Sequence, residues 1–379
     1  MSNPPCPSPF ARVTSGWIPL ASCSLLLFVI PARADDGVAK IESVVGTEQA
    51  KCQQCHPSEV DHWKKTSHFR SLARLEYSGN SKKYADALGI SADTLKTTSI
   101  CSDCHGTKAV VDSAPQVISG VSCESCHGGA KGWLKSHGEY ADGQTFSTLA
   151  ALREARKEES EDHRVARLES TKAAGMIRPD MLHELATNCL SCHVVNNEKL
   201  ILAGHKASSA FELTSWLNGE VRHNFFMDAD KNAEAPSLWS DVHGATVQQR
   251  NRMKFTVGTF VELETALKRR AKATNPTYIA QIGGVVAASN GRLTQANALS
   301  MTPQTQSATA VVPPLFATLF APMRSDDETY SAAAAKIEEL TAEFVKQHDG
   351  TRLQGLDALI NGVPPHYSQQ FKEQHSIKN

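Results

Sequence analysis

An apolar run from Trp17 to Ile30 opens the chain. A single charge, Arg12, precedes it, and Pro31-Ala32-Arg33-Ala34 closes it. A short, interrupted apolar stretch ending in A-x-A has the layout of an export signal and is too short for a stable bilayer span. Residues 1–34 are expected to be a signal peptide, cut between Ala34 and Asp35. Leu20-Ala21-Ser22-Cys23 also resembles a lipobox, but the apolar run continues beyond Cys23, where a lipobox should end it. Leu182, Leu185 and Cys189 recur at helical spacing behind Pro179, which suits a helix's first turn. Met253, Val257, Phe260, Leu263 and Leu267 predict an amphipathic helix, and Ile337, Leu340 and Phe344 another that Gly350 stops. Asp93 or Thr94 suits the cap of a short helix that runs into the Cys pair at Cys101 and Cys104. Thr302 to Pro314, rich in Gln, Ser, Thr and Pro, reads as a loop. No β alternation is sustained, so the fold class is mostly α.

Length and composition narrow this little. The 379 residues suggest two or three domains; 41% hydrophobic and 21% charged residues exclude a disordered polymer and a membrane bundle. Thirty-nine basic residues against 40 acidic give no whole-chain attraction to nucleic acid or to an acidic membrane surface. Loss of Arg12 and Arg33 with the signal leaves 37 against 40, net −3. Arg153 to Arg164 is dense in both signs and reads as a solvated helix face. Aromatic residues are only 6%, whereas 15 His and 10 Cys stand out.

Cys6 and Cys23 leave with the signal. The other eight form four C-x-x-C-H motifs: Cys52-Cys55-His56, Cys101-Cys104-His105, Cys123-Cys126-His127 and Cys189-Cys192-His193. C-x-x-C-H is the attachment signature of haem c. On a helix, residues i and i+3 share a face, so both thiols reach the vinyl groups on one porphyrin edge; the next His brings its imidazole to the iron. Cys101, Cys104, Cys123 and Cys126 also fit a zinc ribbon, and eight Cys in an exported chain fit a disulfide framework. Neither explains a His after every pair. The expected cofactors are four covalently attached haem c groups, which would replace much of the thin aromatic core. Gly106, Gly120, Gly128 and Gly129 imply tight turns beside porphyrin edges. The expected organisation is a signal over 1–34, a tetrahaem cytochrome c domain over 35–245 and a helical C-terminal region without haem motifs over 246–379.

Eleven His remain as candidates for the distal side of the irons. A helix from Pro57 carries His68 about 18 Å along its axis, away from its own haem. His137 is displaced from His127 similarly, so His68 and His137 can be exchanged between the first and third haems. His205 or His223 can close the fourth haem, His205 being preferred. His183 sits about 15 Å up the helix from His193 and does not reach that iron. His62, His163 and His243 suit surface or supporting positions; His348, His366 and His375 fall in the Cys-free tail. Met176, Met181 and Met227 are alternative ligands, but mostly bis-His ligation is expected, which favours lower potentials than His/Met.

The four motifs in this order, Trp63-x4-His68 after the first, and the run GVSCESCHGG from Gly120 to Gly129 resemble the tetrahaem cytochrome c-554 family over about residues 50–225. The resemblance implies a mostly helical fold wrapped around closely packed haems, and electron transfer outside the cytoplasm. It also implies that His68 completes the third haem and His137 the first, and that the iron held by His105 is open on one side. The favoured function is a periplasmic relay of single electrons between redox proteins, with donor and acceptor unnamed. The alternative is a reductase acting on a small nitrogen or sulfur oxide at a five-coordinate haem. The C-terminal helices read as ordinary core or as a docking module.

Overall fold

The computed structural model describes residues 41–360 except 96, 98, 141–147, 210, 219–220, 222–245 and 323–326. The expected signal peptide therefore lies outside the described residues, as do His223, His243, His366, His375 and Met227. Short helices dominate the first half: α1 (Cys52–Cys55), α2 (Pro57–Trp63), α3 (Ser71–Tyr77), α4 (Gly79–Leu88), α5 (Ala92–Leu95) and α6 (Ser102–His105). Strands β1 (Thr107–Val111) and β2 (Ala114–Ser119) follow, then α7 (Cys123–His127) and α8 (Leu134–His137). Beyond them come α9 (Leu149–Glu158), α10 (Glu161–Ala173), α11 (Leu182–His193), α12 (Glu198–Leu202) and α13 (Leu213–Asn218). The second half is built from longer helices: α14 (Val247–Lys272), α15 (Pro276–Leu299), the short α16 (Pro303–Thr309) and α17 (Glu328–Gln347). The protein is mostly helical, as its sequence pattern predicts.

Three local expectations are corrected. The β-hairpin lacks clean alternation, yet it forms because Asp112 and Ser113 both adopt positive φ, 50° and 66°, and close a two-residue turn. The stretch from Thr302 is a helix in its first half: the Thr302 hydroxyl accepts from the Thr305 amide, the Thr305 hydroxyl accepts in return, and Pro303 follows the cap. The charged stretch 153–164 is largely solvated as expected but spans two helices rather than one. They part at Glu159, whose carboxylate, 1% exposed, accepts from both Nε and Nη2 of Arg167 at 2.7 Å and lies 2.8 Å from His163. Arg167 in turn stacks over Tyr140 at 4.1 Å.

Helix α14 is buried on every side rather than along one stripe. Met253, Val257, Phe260, Leu263 and Leu267 are fully buried as expected, but so are Val261 and Ala266 on the other faces, and Phe255 is 3% exposed. The reason is its neighbours: α11, α13, α15 and α17 all pack against it. A capping box between Thr246 and Gln249 starts it. Leu213 of α13 settles against Gly258, where an added Cβ would lie 2.7 Å from the leucine's own Cβ. One apolar core runs from Leu182 and Leu190 on α11 through α14, α15 and α17 to Leu356. Polar ties join the same elements. Tyr278 donates its hydroxyl to the Val195 carbonyl at 2.7 Å, and Glu198 accepts from the amides of Thr274 and Asn275 at 2.6 and 3.1 Å. Thus the last C-x-x-C-H helix and the C-terminal helices share one interior.

His183 shows what such sharing requires. Its Nε2 lies 2.9 Å from Glu264 of α14, which is 2% exposed and also accepts from Lys268 at 2.7 Å. Burial disfavours charge on both partners, but the hydrogen bond and mutual attraction outweigh it. The His183 pKa is raised and that of Glu264 lowered. The pair therefore stabilises the fold fully above the unfolded carboxyl value and below the unfolded imidazole value. The contribution fades as pH rises through the raised His183 value or falls through the depressed Glu264 value. Glu264→Gln should lower the stability measured by urea unfolding by about 3 kcal/mol near about pH 5.5 and by clearly less near about pH 9. An equal deficit at both pH values would show that the pair is not ionic.

Candidate functional site

The C-x-x-C-H motifs lie on short helices that other segments clamp. α7 carries the third, and between its two cysteines Glu124 is buried to 1% exposure. Its Oε1 accepts from the amides of Val45 and Ala130 at 2.8 and 2.7 Å, and its Oε2 from Gly46 at 2.6 Å. One carboxylate thus fixes the strand of chain before the first motif and the turn after the third. The glycines nearby serve approach of chain to chain. A Cβ on Gly120 would lie 2.4 Å from the Phe69 carbonyl oxygen, one on Gly128 2.3 Å from that of Gly175, and one on Gly129 2.7 Å from the Ser43 backbone.

Hydroxyls and indoles extend the clamp. The Trp63 indole donates to the Val121 carbonyl at 2.8 Å. The Ser71 hydroxyl lies 2.6 Å from the His68 carbonyl and 2.9 Å from that of His105, and accepts from the Val121 amide at 3.1 Å. Thr107 reaches the Gly120 carbonyl at 2.7 Å, and Asn188 of α11 donates to the carbonyls of Ser125 and Cys126 at 2.7 and 3.0 Å. The second, third and fourth motifs are thereby held to one another through backbone groups.

The thiols meet in two pairs. Cys52 hydrogen-bonds Cys123, and Cys104 hydrogen-bonds Cys192. In the first pair, the hydrogen bond to Cys52 brings Cys123 down to about 7, while the same bond and burial push Cys52 up. In the second, Cys192 is lowered by its bond to Cys104 and Cys104 raised. Burial pushes Cys126 up to about 12, and Cys126 lies within electrostatic reach of both Cys189 and Cys192. Cys55 is raised by burial and Cys101 is half-buried. No disulfide joins any of these eight. The motifs therefore neighbour each other in the order first, third, fourth, second.

The imidazoles also meet in pairs. His56 faces His137 with ring centres 6.0 Å apart and planes 20° from parallel; His68 faces His193 at 6.2 Å and 73°. Two imidazoles on opposite sides of one metal ion, each nitrogen about 2 Å from it, place their ring centres about 6 Å apart. Both gaps fit one iron. His137 thus stands opposite the first motif's histidine, whereas His68 stands opposite the fourth's and not the third's. The physical cause is that α2 stops at Trp63. The Thr66 hydroxyl donates to the Trp63 carbonyl at 2.7 Å and accepts from the Phe69 amide at 3.2 Å, so the chain turns before His68. His205, expected opposite His193, instead tilts against Tyr84 at 5.6 Å and lies within electrostatic reach of His105. The Nδ1 of His205 lies 2.7 Å from the Lys206 carbonyl, and that of His127 2.9 Å from the Ile177 carbonyl. A carbonyl only accepts, so both rings carry hydrogen on Nδ1 and turn a lone pair outward on Nε2, as a metal-ligating imidazole requires. Burial lowers His56 and His127, and takes His105 to about 4, His137 to about 3 and His193 to about 4, so these rings are neutral at neutral pH. His62 is 2% exposed rather than on the surface, and Met176 packs on Ala130 and Trp133.

A cavity of about 1970 Å³ joins the second, third and fourth motifs, with the first motif and His137 off its wall. It is lined by Cys101, Cys104 and His105, by Cys126 and His127, and by Cys189, Cys192 and His193, with His68 and His205 also on its wall. Ordinary ligand pockets hold about 300–1,000 Å³, so this one has room for more than one large planar group. Thiols in i, i+3 pairs, neutral imidazoles and a mostly apolar wall suit haem c. Such a site is that of a c-type cytochrome. Comparison with known proteins points the same way: residues 51–128 match the family described as cytochrome c554 and c-prime. Cytochrome c-554 of Nitrosomonas europaea is 28% identical over 102 residues, which cover 25% of this chain and 43% of that protein. The chain thus matches less than half the length of this curated relative. No solved structure matches. Among the described residues, no helix is long and apolar enough to cross a membrane.

Sequence reading overlooked Glu124, Ser71 and Thr107, since an acid or hydroxyl near a motif carries no signal until the partner amides are known. Glu124→Ala leaves three amides without their acceptor, each costing about 1–3 kcal/mol when buried. The variant should unfold at clearly lower denaturant than wild type, with Glu124→Gln intermediate; equal midpoints would remove Glu124 from the clamp.

Proposed function

We propose that the protein is a periplasmic tetrahaem c-type cytochrome that relays single electrons between redox proteins. The observation that carries this reading is the pair of facing imidazoles, His56 with His137 and His68 with His193, each spaced for one iron. Bound haem supplies the one-electron centre. Cys52 and Cys55, Cys101 and Cys104, Cys123 and Cys126, and Cys189 and Cys192 would tether four such groups by thioether bonds. His56, His105, His127 and His193 would be the proximal ligands, and His137 and His68 the distal ligands of the first and fourth. Electron tunnelling falls steeply with distance, and the order first, third, fourth, second read from the thiols supports a short linear relay. His127, anchored on the Ile177 carbonyl, and His193, anchored on the Ser209 hydroxyl, hold their geometry while charge passes, which keeps reorganisation small. The haem propionates make the working molecule acidic and suit it to basic partners. In this reading residues 1–34 would act as an export signal and carry the protein out of the cytoplasm.

A pyridine haemochrome assay on the exported protein should find four haems per chain, and its mass should exceed the processed polypeptide's by four macrocycles; bare thiols or zinc would overturn the proposal. Near-parallel axial rings act on one iron d orbital and crossed rings on two. The His56/His137 and His68/His193 irons should therefore give two distinct low-spin electron paramagnetic resonance signals. His137→Ala should convert the first to high spin and His68→Ala the second. A His68→Ala spectrum that still shows both low-spin signals would break the assigned pairing.

A further inference from the structure

The chain beyond α12 doubles back on the fourth motif. Val194, next after His193, forms an antiparallel bridge with Ser208, and the Val195 amide donates to the Ala207 carbonyl at 2.8 Å. Both sides of this bridge are gripped by one helix of the motif-free half. Tyr278 and Gln281 stand three residues apart on α15 and so share a face. The Tyr278 hydroxyl donates to the Val195 carbonyl at 2.7 Å, and the Gln281 Oε1 accepts from the Ala207 amide at 2.9 Å. Val194 is fully buried and Ala207 is 2% exposed, so the grip lies in the interior. Further along the chain, Leu213 settles on Gly258 of α14. Between these two holds, Ser209 and Phe211 meet His193. The Ser209 Oγ lies 2.9 Å from its Nδ1, and the Phe211 ring stacks on the imidazole with centres 4.3 Å apart and planes 21° from parallel.

An imidazole that gives Nε2 to iron carries its hydrogen on Nδ1, so the Ser209 hydroxyl accepts. A better acceptor at Nδ1 makes the ring a more basic ligand, which favours the ferric state and lowers the potential. Loss of the acceptor does the reverse. We propose that Ser209 is a positioning residue that sets the potential of the haem fastened at Cys189 and Cys192, and that α15 acts on that haem through it. The inference rests on haem attachment at the fourth motif. It gives the C-terminal helices, which carry no cysteine, a part in the relay: they hold a hydroxyl in line with the proximal ring.

Ser209→Val and Ser209→Thr share a shape and differ by a methyl in place of the hydroxyl. Each would be made in the full chain and titrated potentiometrically, with electron paramagnetic resonance resolving each iron. Ser209→Val should raise the midpoint of the crossed-ring low-spin signal, that of His68/His193, because the methyl also keeps water from replacing the lost acceptor. Ser209→Thr should stay near wild type. Gln281→Leu should raise the same midpoint by less and leave the His56/His137 signal where it was. Ser209→Val combined with Gln281→Leu should match Ser209→Val alone. Equal midpoints in the Val and Thr variants would overturn the role of Ser209. An unmoved midpoint in Gln281→Leu, or an additive shift in the double variant, would overturn the action of α15 through it. A haemochrome count below four in wild type would instead count against the proposed function.

Discussion

A buried carboxylate flanked by two cysteines organises the haem half of this protein. Glu124 has both sides of a C-x-x-C helix to itself, and the three amides it accepts come from chain on either side of the third motif. A chain with few aromatic residues and one large cavity cannot hold its shape by apolar packing alone. In this half the apolar clusters are small, Leu75 with Ala85 and Leu95, and Ala130 with Trp133 and Met176. Directional bonds to backbone groups take over, from Glu124, Ser71, Thr107, Trp63 and Asn188. Each acts across a long stretch of sequence, and each ends beside a cysteine or histidine that has to be aimed.

The other half works differently. From Leu182 onward the apolar core is continuous, and α14 is enclosed by helices on all sides. Many of its charges are paired, as Glu264 with His183 and Lys268, Glu262 with Arg292 and Arg252 with Asp357. The two halves meet on α11, whose outer end bears the fourth motif and whose inner face joins the core through Leu182, Ala186 and Leu190.

Much of this was legible in the residues. Four C-x-x-C-H motifs name their chemistry by spacing alone, and the stripes at 253–267 and 337–344 announce helices by period. The limits are equally physical. Distal imidazoles are set by where the chain turns, and the turn after Trp63 depends on the Thr66 hydroxyl, which no periodicity reports. A helix surrounded on all sides, such as α14, looks amphipathic when only its strongest stripe is read. Helix α15 mixes Gly, Ser, Asn and Thr with its apolar residues, so its pattern is faint until its neighbours are known. The hairpin at 107–119 hangs on two residues with positive φ that are not glycine.

The continuity of the core across α11 has a consequence for how such a molecule changes over generations. A redox cassette joined to its neighbour by a loose tether can be lost, duplicated or traded as a block. Here the fourth attachment helix is rooted in the interior of its neighbour. Cutting the gene between the two would strip Ala186, Leu190 and Val194 of their cover and tear out the floor beneath His193. The long tail is bound to stay with the motif-bearing half, and each must drift at a pace the other permits.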